Sequence, residues 1–157
     1  MKRVRLFLIV AIVAASTMFS GCESEPESAP EPENPLTWEE NAATKQVVFA
    51  DETSGKSVTF YHTEAWTSRI WIFVANEGVV CEGDCWISIN PNGSNTAGTY
   101  TVNINIDVNM TGSDRTALIE IVPVNLERSV LYLNKIDITQ KATKANGEIP
   151  NDVNSED

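Results

Sequence analysis

Residues 99–108, TYTVNINIDV, show the clearest strand pattern of the chain. Polar and apolar side chains alternate along all of it, and successive side chains of a β-strand point to opposite faces of its sheet. The stretch therefore predicts a strand with one face in a core and the other in solvent. The inward row is Val102, Ile104, Ile106 and Val108, and the outward row is Thr101, Asn103, Asn105 and Asp107.

Short runs of similar character lie on both sides of this strand, and turn-forming residues separate them. The chain pauses in a hairpin-like way at residues 51–55 and turns again at 90–93 and 111–114. Seven short strands at this spacing predict an all-β fold, an antiparallel β-sandwich of the immunoglobulin type. In the last run, 130–139, the apolar residues do not all fall on one face of a regular strand, and a bulge near Asn134 would bring them onto one face. The other six runs are 46–50, 56–62, 66–75, 86–89, 116–122 and 130–139.

The first 22 residues indicate export. Three basic residues precede an apolar run at 6–15, and the segment ends in Phe19-Ser20-Gly21-Cys22. This order is typical of a secretory signal peptide, and the apolar run is too short for a comfortable membrane span. The ending resembles the bacterial lipobox, although Phe19 stands where leucine is usual. The resemblance implies cleavage after residue 21, acyl chains such as palmitate on Cys22, and attachment to the outer membrane. We expect the cell surface, with the periplasmic side as the alternative.

Charge excludes one class of partner. Cleavage would leave 136 of the 157 residues and, by removing three basic side chains, take the net charge from −11 to about −14. Nucleic-acid binding depends on lysine and arginine releasing counterions, so we expect no nucleic-acid partner. Repulsion from anionic lipid leaves the acyl chains as the membrane anchor, and stable anchoring takes more than one chain.

The composition divides the chain into four parts. The signal peptide is 1–21, and an acidic tether covers 22–36, rich in glutamate, serine and proline. With so few apolar side chains the tether is predicted to be disordered, and it also resembles the surface-export signal of Bacteroidota lipoproteins. The sandwich covers 37–141, and a polar tail, also expected to be disordered, covers 142–157.

Two cysteines remain after Cys22, and an even number in an exported chain predicts a disulfide. Cys81 and Cys85 enclose Glu82-Gly83-Asp84, which can form the tight turn that so short a bridge needs. The alternative is a zinc or redox pair. It is less favoured because a zinc site usually takes four ligands and the chain has one histidine, His62.

Several motifs occur in the order found in one family. They are Gly55–Thr59, Ala65-Trp66-Thr67, Trp86–Ile89, Asn92-Gly93, Asn109 through Ala117, and Ile138-Thr139-Gln140. Together they resemble the BACON domain (Bacteroidetes-associated carbohydrate-binding often N-terminal), over roughly Val47 to Gln140. The resemblance implies a small immunoglobulin-like sandwich on an exported protein, with carbohydrate as a ligand class but no set of ligand residues. It also implies that Trp66 and Trp86 pack in the core.

Residues 68–84 depart from the family pattern by inserting a strand-like run and the cysteine loop. In that run Trp71 and Phe73 share one face, opposite Ile70, Ile72 and Val74. They would form an aromatic ligand-binding platform if they point outward. The alternative, that they point inward or cover the cysteine loop, is favoured because large aromatic side chains are buried on average.

Other candidate sites have plainer explanations. The polar row of residues 101–107 could bind sugar hydroxyls or, with Asp114, calcium, but such rows are more often the solvated face of a sheet. No nucleophile has an evident base beside it, and His62 stands alone, so we expect no enzyme, cofactor or metal.

The sequence therefore predicts a surface-anchored, non-catalytic lipoprotein. Its sandwich would bind a glycan, such as a mucin-type polysaccharide, or serve as an accessory component of a glycan-uptake assembly with other surface proteins. The alternative is a structural, adhesion or spacer module without a small-molecule ligand.

Overall fold

The computed structural model describes residues 33–125 and 134–150. The predicted signal peptide, Cys22 and most of the tether lie outside these residues, as do 126–133 and the end of the tail. The described residues form ten β-strands and no helix. In chain order they are β1 (Leu36–Trp38), β2 (Lys45–Val48), β3 (Val58–His62), β4 (Trp66–Val74), β5 (Glu77–Val80), β6 (Ile87–Asn90), β7 (Gly93–Ser94), β8 (Gly98–Ile106), β9 (Arg115–Pro123) and β10 (Lys135–Gln140).

The strands form two sheets of a sandwich. One sheet has the order β1-β3-β8-β6, and the other has the order β2-β10-β9-β4-β5, with β7 pairing with the start of β4. We call them the four-stranded and the six-stranded sheet. The predicted all-β sandwich is confirmed. One difference is that β2 pairs with β10 in parallel, whereas the sequence predicts antiparallel strands throughout.

Three short strands, β1, β5 and β7, were not predicted, because two to four residues are too few to show alternation. The hairpin expected around residues 51–55 is wrong, since β2 and β3 belong to different sheets. The fold also reaches beyond the predicted limits. Leu36, placed in the tether, lies in β1 and is 4% exposed, and Thr143, placed in the tail, accepts a hydrogen bond from the N–H of Ala50.

The core lies between the sheets, where the alternating stretch places its apolar row. Val102, Ile104 and Ile106 are each at most 3% exposed, as predicted. Val108 is 39% exposed, contrary to prediction, because β8 ends at Ile106 and the alternation no longer fixes the side chain. Trp86 is only half-buried at the margin of the core, where the Arg115 guanidinium lies 4.3 Å from its ring centre.

One buried polar side chain joins the end of β10 to the turn between β8 and β9. Asn109 is fully buried, and its Nδ2 donates to the carbonyl oxygens of Ser113 at 2.8 Å and Lys141 at 2.9 Å. Its Oδ1 accepts from the N–H of Thr111 at 3.1 Å and from the Thr111 hydroxyl at 2.7 Å. The amide therefore donates two hydrogen bonds and accepts two, and these bonds hold the turn in place.

We predict that Asn109→Ala lowers the free energy of unfolding by about 2–4 kcal/mol, because it removes four hydrogen bonds made by a fully buried amide. Asn105→Ala is the matched control: Asn105 lies in the neighbouring strand, is exposed, and its loss should cost under about 0.5 kcal/mol. Urea unfolding measures both. Equal effects of the two substitutions would contradict this account of Asn109.

A candidate ligand-binding face on the six-stranded sheet

Trp66 sets which way each side chain of β4 points. Its ring is 1% exposed and packs in the core, as predicted, with its centre 5.0 Å from that of Phe60 and 5.3 Å from that of Tyr100. Ile70 and Ile72 share its face and also pack against the core. The intervening side chains of β4 therefore point away from the core.

Trp71 and Phe73 lie on this outer face, so they do not point inward, which was one of the two arrangements in the favoured alternative. Trp71 is half-buried and Phe73 is 40% exposed. Burial statistics for aromatic residues failed here because the inner positions of β4 already carry Trp66 and two isoleucines. Val74, expected to share the aliphatic inner face, is 61% exposed because it lies near the end of the β4–β5 hairpin.

The indole of Trp71 is fixed by its neighbours across the sheet. Leu118 of β9 and Val80 of β5 are its partners in register, so aliphatic residues occupy the neighbouring positions on both sides of Trp71. Its Nε1 donates a hydrogen bond to Glu120 Oε2 at 2.8 Å. The Arg69 guanidinium approaches the same oxygen at 3.9 Å, and neither contact uses Oε1 of Glu120.

Charged side chains continue this surface across β10. Lys135 is in register with Glu120, and Asp137 with Leu118. Lys135 Nζ and Asp137 Oδ1 lie 3.7 Å apart, with both side chains more than two-fifths exposed. We call the surface the Trp71 face. It consists of Arg69, Trp71, Phe73, Val80, Leu118, Glu120, Lys135 and Asp137.

The cysteine loop lies at one side of this surface. The predicted disulfide between Cys81 and Cys85 is confirmed, with alpha carbons 6.2 Å apart, so the zinc alternative is excluded for this pair. The N–H of Cys81 donates to the carbonyl of Ile70, which fastens the loop to β4. A cleft of about 310 Å³ opens between this loop and β6, within the size range of small-ligand sites.

The four-stranded sheet presents the predicted polar row to solvent. Thr101, Asn103, Asn105 and Asp107 are all exposed. Thr59 and Thr101 hydroxyls bond each other at 2.9 Å, as do Ser57 and Asn103 side chains at 2.8 Å.

Calcium receives no support at the neighbouring turn. Both carboxylate oxygens of Asp114 are already bonded, one to Lys141 Nζ and one to the N–H of Ala142, each at 2.8 Å. These bonds lower the pKa of Asp114 from its ordinary value. Across residues 33–125 and 134–150, no three potential metal ligands of the His, Cys, Asp or Glu type come together.

His62 is a buried core residue. It is 0% exposed, and its Nδ1 lies 2.8 Å from the carbonyl oxygen of Glu64, to which we assign it as donor. Its Nε2 is buried without a hydrogen-bond partner among the described residues. Burial lowers the pKa of His62, and the backbone bond to Glu64 offsets this only in part. A proton on Nε2 would place an unpaired charge in the core.

We predict that the protein loses stability as the pH falls from 7 towards 5. The unfolded chain binds a proton near pH 6.5, whereas folded His62 does so only at lower pH, so unfolding is favoured below that value. One proton gives a slope of at most about 1.4 kcal/mol per pH unit. Since the chain has a single histidine, His62→Gln should remove the slope. Denaturant unfolding at several pH values measures it, and a flat wild-type profile would count against the assignment.

Comparison with protein families gives a match that begins at the tip of the β4–β5 hairpin. Residues 75–141 match the model of a family called BACON, described as a putative binding domain, N-terminal. The resemblance predicted from the sequence is confirmed here, over β5–β10. The upstream motifs at Gly55–Thr59 and Trp66 lie outside the match, as do Trp71 and Phe73.

Solved structures resemble the chain in fold at low identity. A Bacteroides ovatus GH5 xyloglucanase in complex with a XXXG heptasaccharide is 14% identical, with a TM-score of 0.47, over 68% of this chain and 18% of that one. A protein from Bacteroides thetaiotaomicron, solved by NMR, is 19% identical, with a TM-score of 0.43, over 79% and 99%. The PapD-like domain 7 of human CEP192 is 12% identical, with a TM-score of 0.40, over 74% and 93%.

This chain thus spans less than a fifth of the xyloglucanase. The comparison with curated proteins found no match. Within the part of the chain that the structure describes, no helix has the length and apolar character needed to cross a membrane.

Sequence reasoning found the aromatic pair but missed its polar neighbours. Glu120 lies 49 residues from Trp71, and nothing in the sequence places β9 beside β4. The alternation in β9 could have marked Leu118 and Glu120 as outward-facing. Only the strand order could bring them to Trp71.

Proposed function

We propose that this BACON-domain chain is an exported lipoprotein, anchored through Cys22, whose sandwich binds glycan on the Trp71 face without catalysing a reaction. The observation that carries the proposal is the fixed indole of Trp71 on the outer side of a central strand. Its chemistry is that of a small-ligand surface, in which an aromatic ring supplies contact area and a few polar groups set orientation.

The polar groups suit a ligand rich in hydroxyls. A sugar ring has an apolar C–H face that can lie on an indole, with hydroxyls around its edge. Glu120 can accept hydrogen bonds at Oε1, while Arg69 and Lys135 can donate them. Because Glu120 already holds the indole, the aromatic and polar parts of the surface are positioned together. Less ordering entropy is then lost on binding.

The surface favours an extended ligand over a single ring. Trp71 and Phe73 are two residues apart on one strand, so their side chains leave β4 about 7 Å apart. A polysaccharide segment lying along β4 would contact both aromatic side chains. On a bacterial surface such binding would serve a glycan-uptake assembly, with a mucin-type polysaccharide as one possible ligand.

We predict that Trp71→Ala weakens glycan binding about tenfold or more, because it removes the stacking surface and frees Glu120 from its orienting bond. Tyr61→Ala is the matched control. Tyr61 is 46% exposed on the four-stranded sheet, away from the Trp71 face. A glycan array followed by titration calorimetry with the chain from residue 22, carrying Cys22→Ser, measures both.

The controls separate this proposal from its alternative. Binding lost equally in both variants, or kept in Trp71→Ala, would place the glycan elsewhere. The alternative function, a structural or adhesion module, is favoured by the exposed apolar side chains of the β4–β5 hairpin. An array on which no glycan is retained by the folded wild-type chain would support it.

Anchoring rests on the sequence around Cys22, where small residues precede the cysteine. We predict that Cys22→Ser moves the protein from the membrane fraction to the soluble fraction, because the acyl chains supply the anchor. Ser20→Thr, which keeps the cysteine, is the control. Mass spectrometry of the wild-type protein should show a diacylated or triacylated residue 22 at the N-terminus. Retention of Met1 with unmodified Cys22 would contradict the proposal.

A further inference from the structure

The cleft beside the cysteine loop lies at the margin of the sandwich, between the six-stranded and the four-stranded sheet. Residues 68–70 of β4 line one side, and residues 87–89 of β6 line the other, with Val80, Cys81 and Gly83 between them. Its volume of about 310 Å³ is near the lower limit of small-ligand sites. The cleft therefore has room for a ligand of about one ring.

Two features of β4 create this opening. On the side of β4 away from β9, β7 pairs with Trp66 and Thr67, and β5 pairs with residues 71–74. Residues 68–70 lie between these pairings, with no described strand beside them on that side. Ser68 points inward, on the same face as Trp66, and is smaller than the isoleucines that follow on that face. A gap in the strand pairing and a small inner side chain thus leave space that the core does not fill.

Backbone hydrogen bonds hold both ends of the gap. The N–H of Ser68 donates to the carbonyl of Asn92 at 2.8 Å, and the N–H of Cys81 donates to the carbonyl of Ile70 at 2.8 Å. The disulfide to Cys85 closes the loop that carries Cys81. The cleft is therefore formed before a ligand arrives, and less ordering entropy is lost on binding.

The lining suits a neutral sugar ring. Ile70, Ile87 and Ile89 give it an apolar surface on which the C–H face of a sugar can lie. Within residues 33–125 and 134–150, the side chains of Ser68 and Asn92 make no hydrogen bond, so both can bond to sugar hydroxyls.

Charge also favours a neutral ligand. Arg69 is the one charged residue among those that line the cleft, and its guanidinium lies 3.9 Å from Glu120 Oε2. The nearby carboxylate offsets the positive charge, so the cleft gives little preference to an anion.

The cleft and the Trp71 face adjoin. Arg69 and Val80 belong to both, and Val80 is in register with Trp71. Trp71 is two residues after Arg69 on β4, which places the two alpha carbons about 7 Å apart. A ligand that leaves the cleft at this edge of β4 therefore meets the Trp71 face next.

We infer that the cleft binds one neutral sugar ring at the end of a glycan chain whose following rings lie on the Trp71 face. Because the cleft has room for about one ring, it selects the end of a chain over an internal segment. The path onto the Trp71 face rests on the proposed function, whereas the binding of a ring in the cleft does not.

The test is an NMR titration of the isotope-labelled chain from residue 22 with Cys22→Ser. All contacts described above lie within residues 33–150, so this chain retains the sandwich. The probes are the methyl glycosides of glucose, galactose, mannose, N-acetylglucosamine and N-acetylgalactosamine, in both anomers and up to about 100 mM. Each presents one ring, as the end of a chain does. At least one should shift the backbone amides of residues 68–70 and 87–89 in a saturable way.

Ser68→Val should raise the dissociation constant of that glycoside at least about tenfold, because the larger side chain fills the cleft and the hydroxyl is lost. Thr67→Val is the matched control, since Thr67 is the exposed neighbour on the opposite face of the strand, and it should change nothing. Asn92→Ala removes a side chain without hydrogen bonds in the fold and should weaken binding about threefold. It tests the cleft even if Ser68→Val does not fold.

The two proposals can fail separately. Trp71→Ala should leave the affinity for the methyl glycoside unchanged, whereas Ser68→Val should also weaken binding of any glycan retained on the array. A glycan retained on the array while no methyl glycoside shifts the cleft amides would overturn this inference alone. So would equal effects of Ser68→Val and Thr67→Val. Shifts at the cleft without any glycan on the array would support ring binding there and count against the Trp71 face.

Discussion

The packing of Trp66 in the core fixes the orientation of the Trp71 face. The ring packs against Phe60 and Tyr100 of the facing sheet, and its burial fixes which side chains of β4 face the core. A slip of one residue would move every side chain of a strand to the other face. Trp71, five positions later, is outward-facing for this reason, and the bond from its indole to Glu120 is possible only in this register.

Buried amides secure the ends of the sandwich that the apolar core does not reach. Gln140 is fully buried, donates from Nε2 to the carbonyl of Asp107 at 3.0 Å, and accepts from Arg115 Nε at 2.8 Å. Asn109 performs the same task one turn away. Arg115 in turn covers Trp86, so the strand ends form one connected polar layer. Such layers stabilise a fold only when each buried group is bonded, which is the case for both amides.

The β4–β5 hairpin carries part of the Trp71 face on one side and exposed apolar side chains on the other. Its base contributes Trp71 and Val80 to the candidate ligand surface, and its tip exposes valines on the opposite face. The disulfide after β5 closes a short loop and so stiffens the place where these regions meet. The candidate ligand surface and the exposed valines therefore use different side chains of one hairpin.

Local patterns of the sequence predicted seven of the ten described strands, the sandwich, the disulfide and the BACON resemblance, because alternation, cysteine spacing and motif order can be read without the fold. The sequence also determined that Trp71 and Phe73 share a face. The tertiary structure decided that this face points to solvent, because alternation alone does not say which of the two faces of a strand is buried. In β4 the buried face is the one that carries Trp66. The tertiary structure also decided that Glu120 lies beside Trp71, and that β2 and β3 belong to different sheets. Strand order depends on packing between distant segments, which no local pattern encodes.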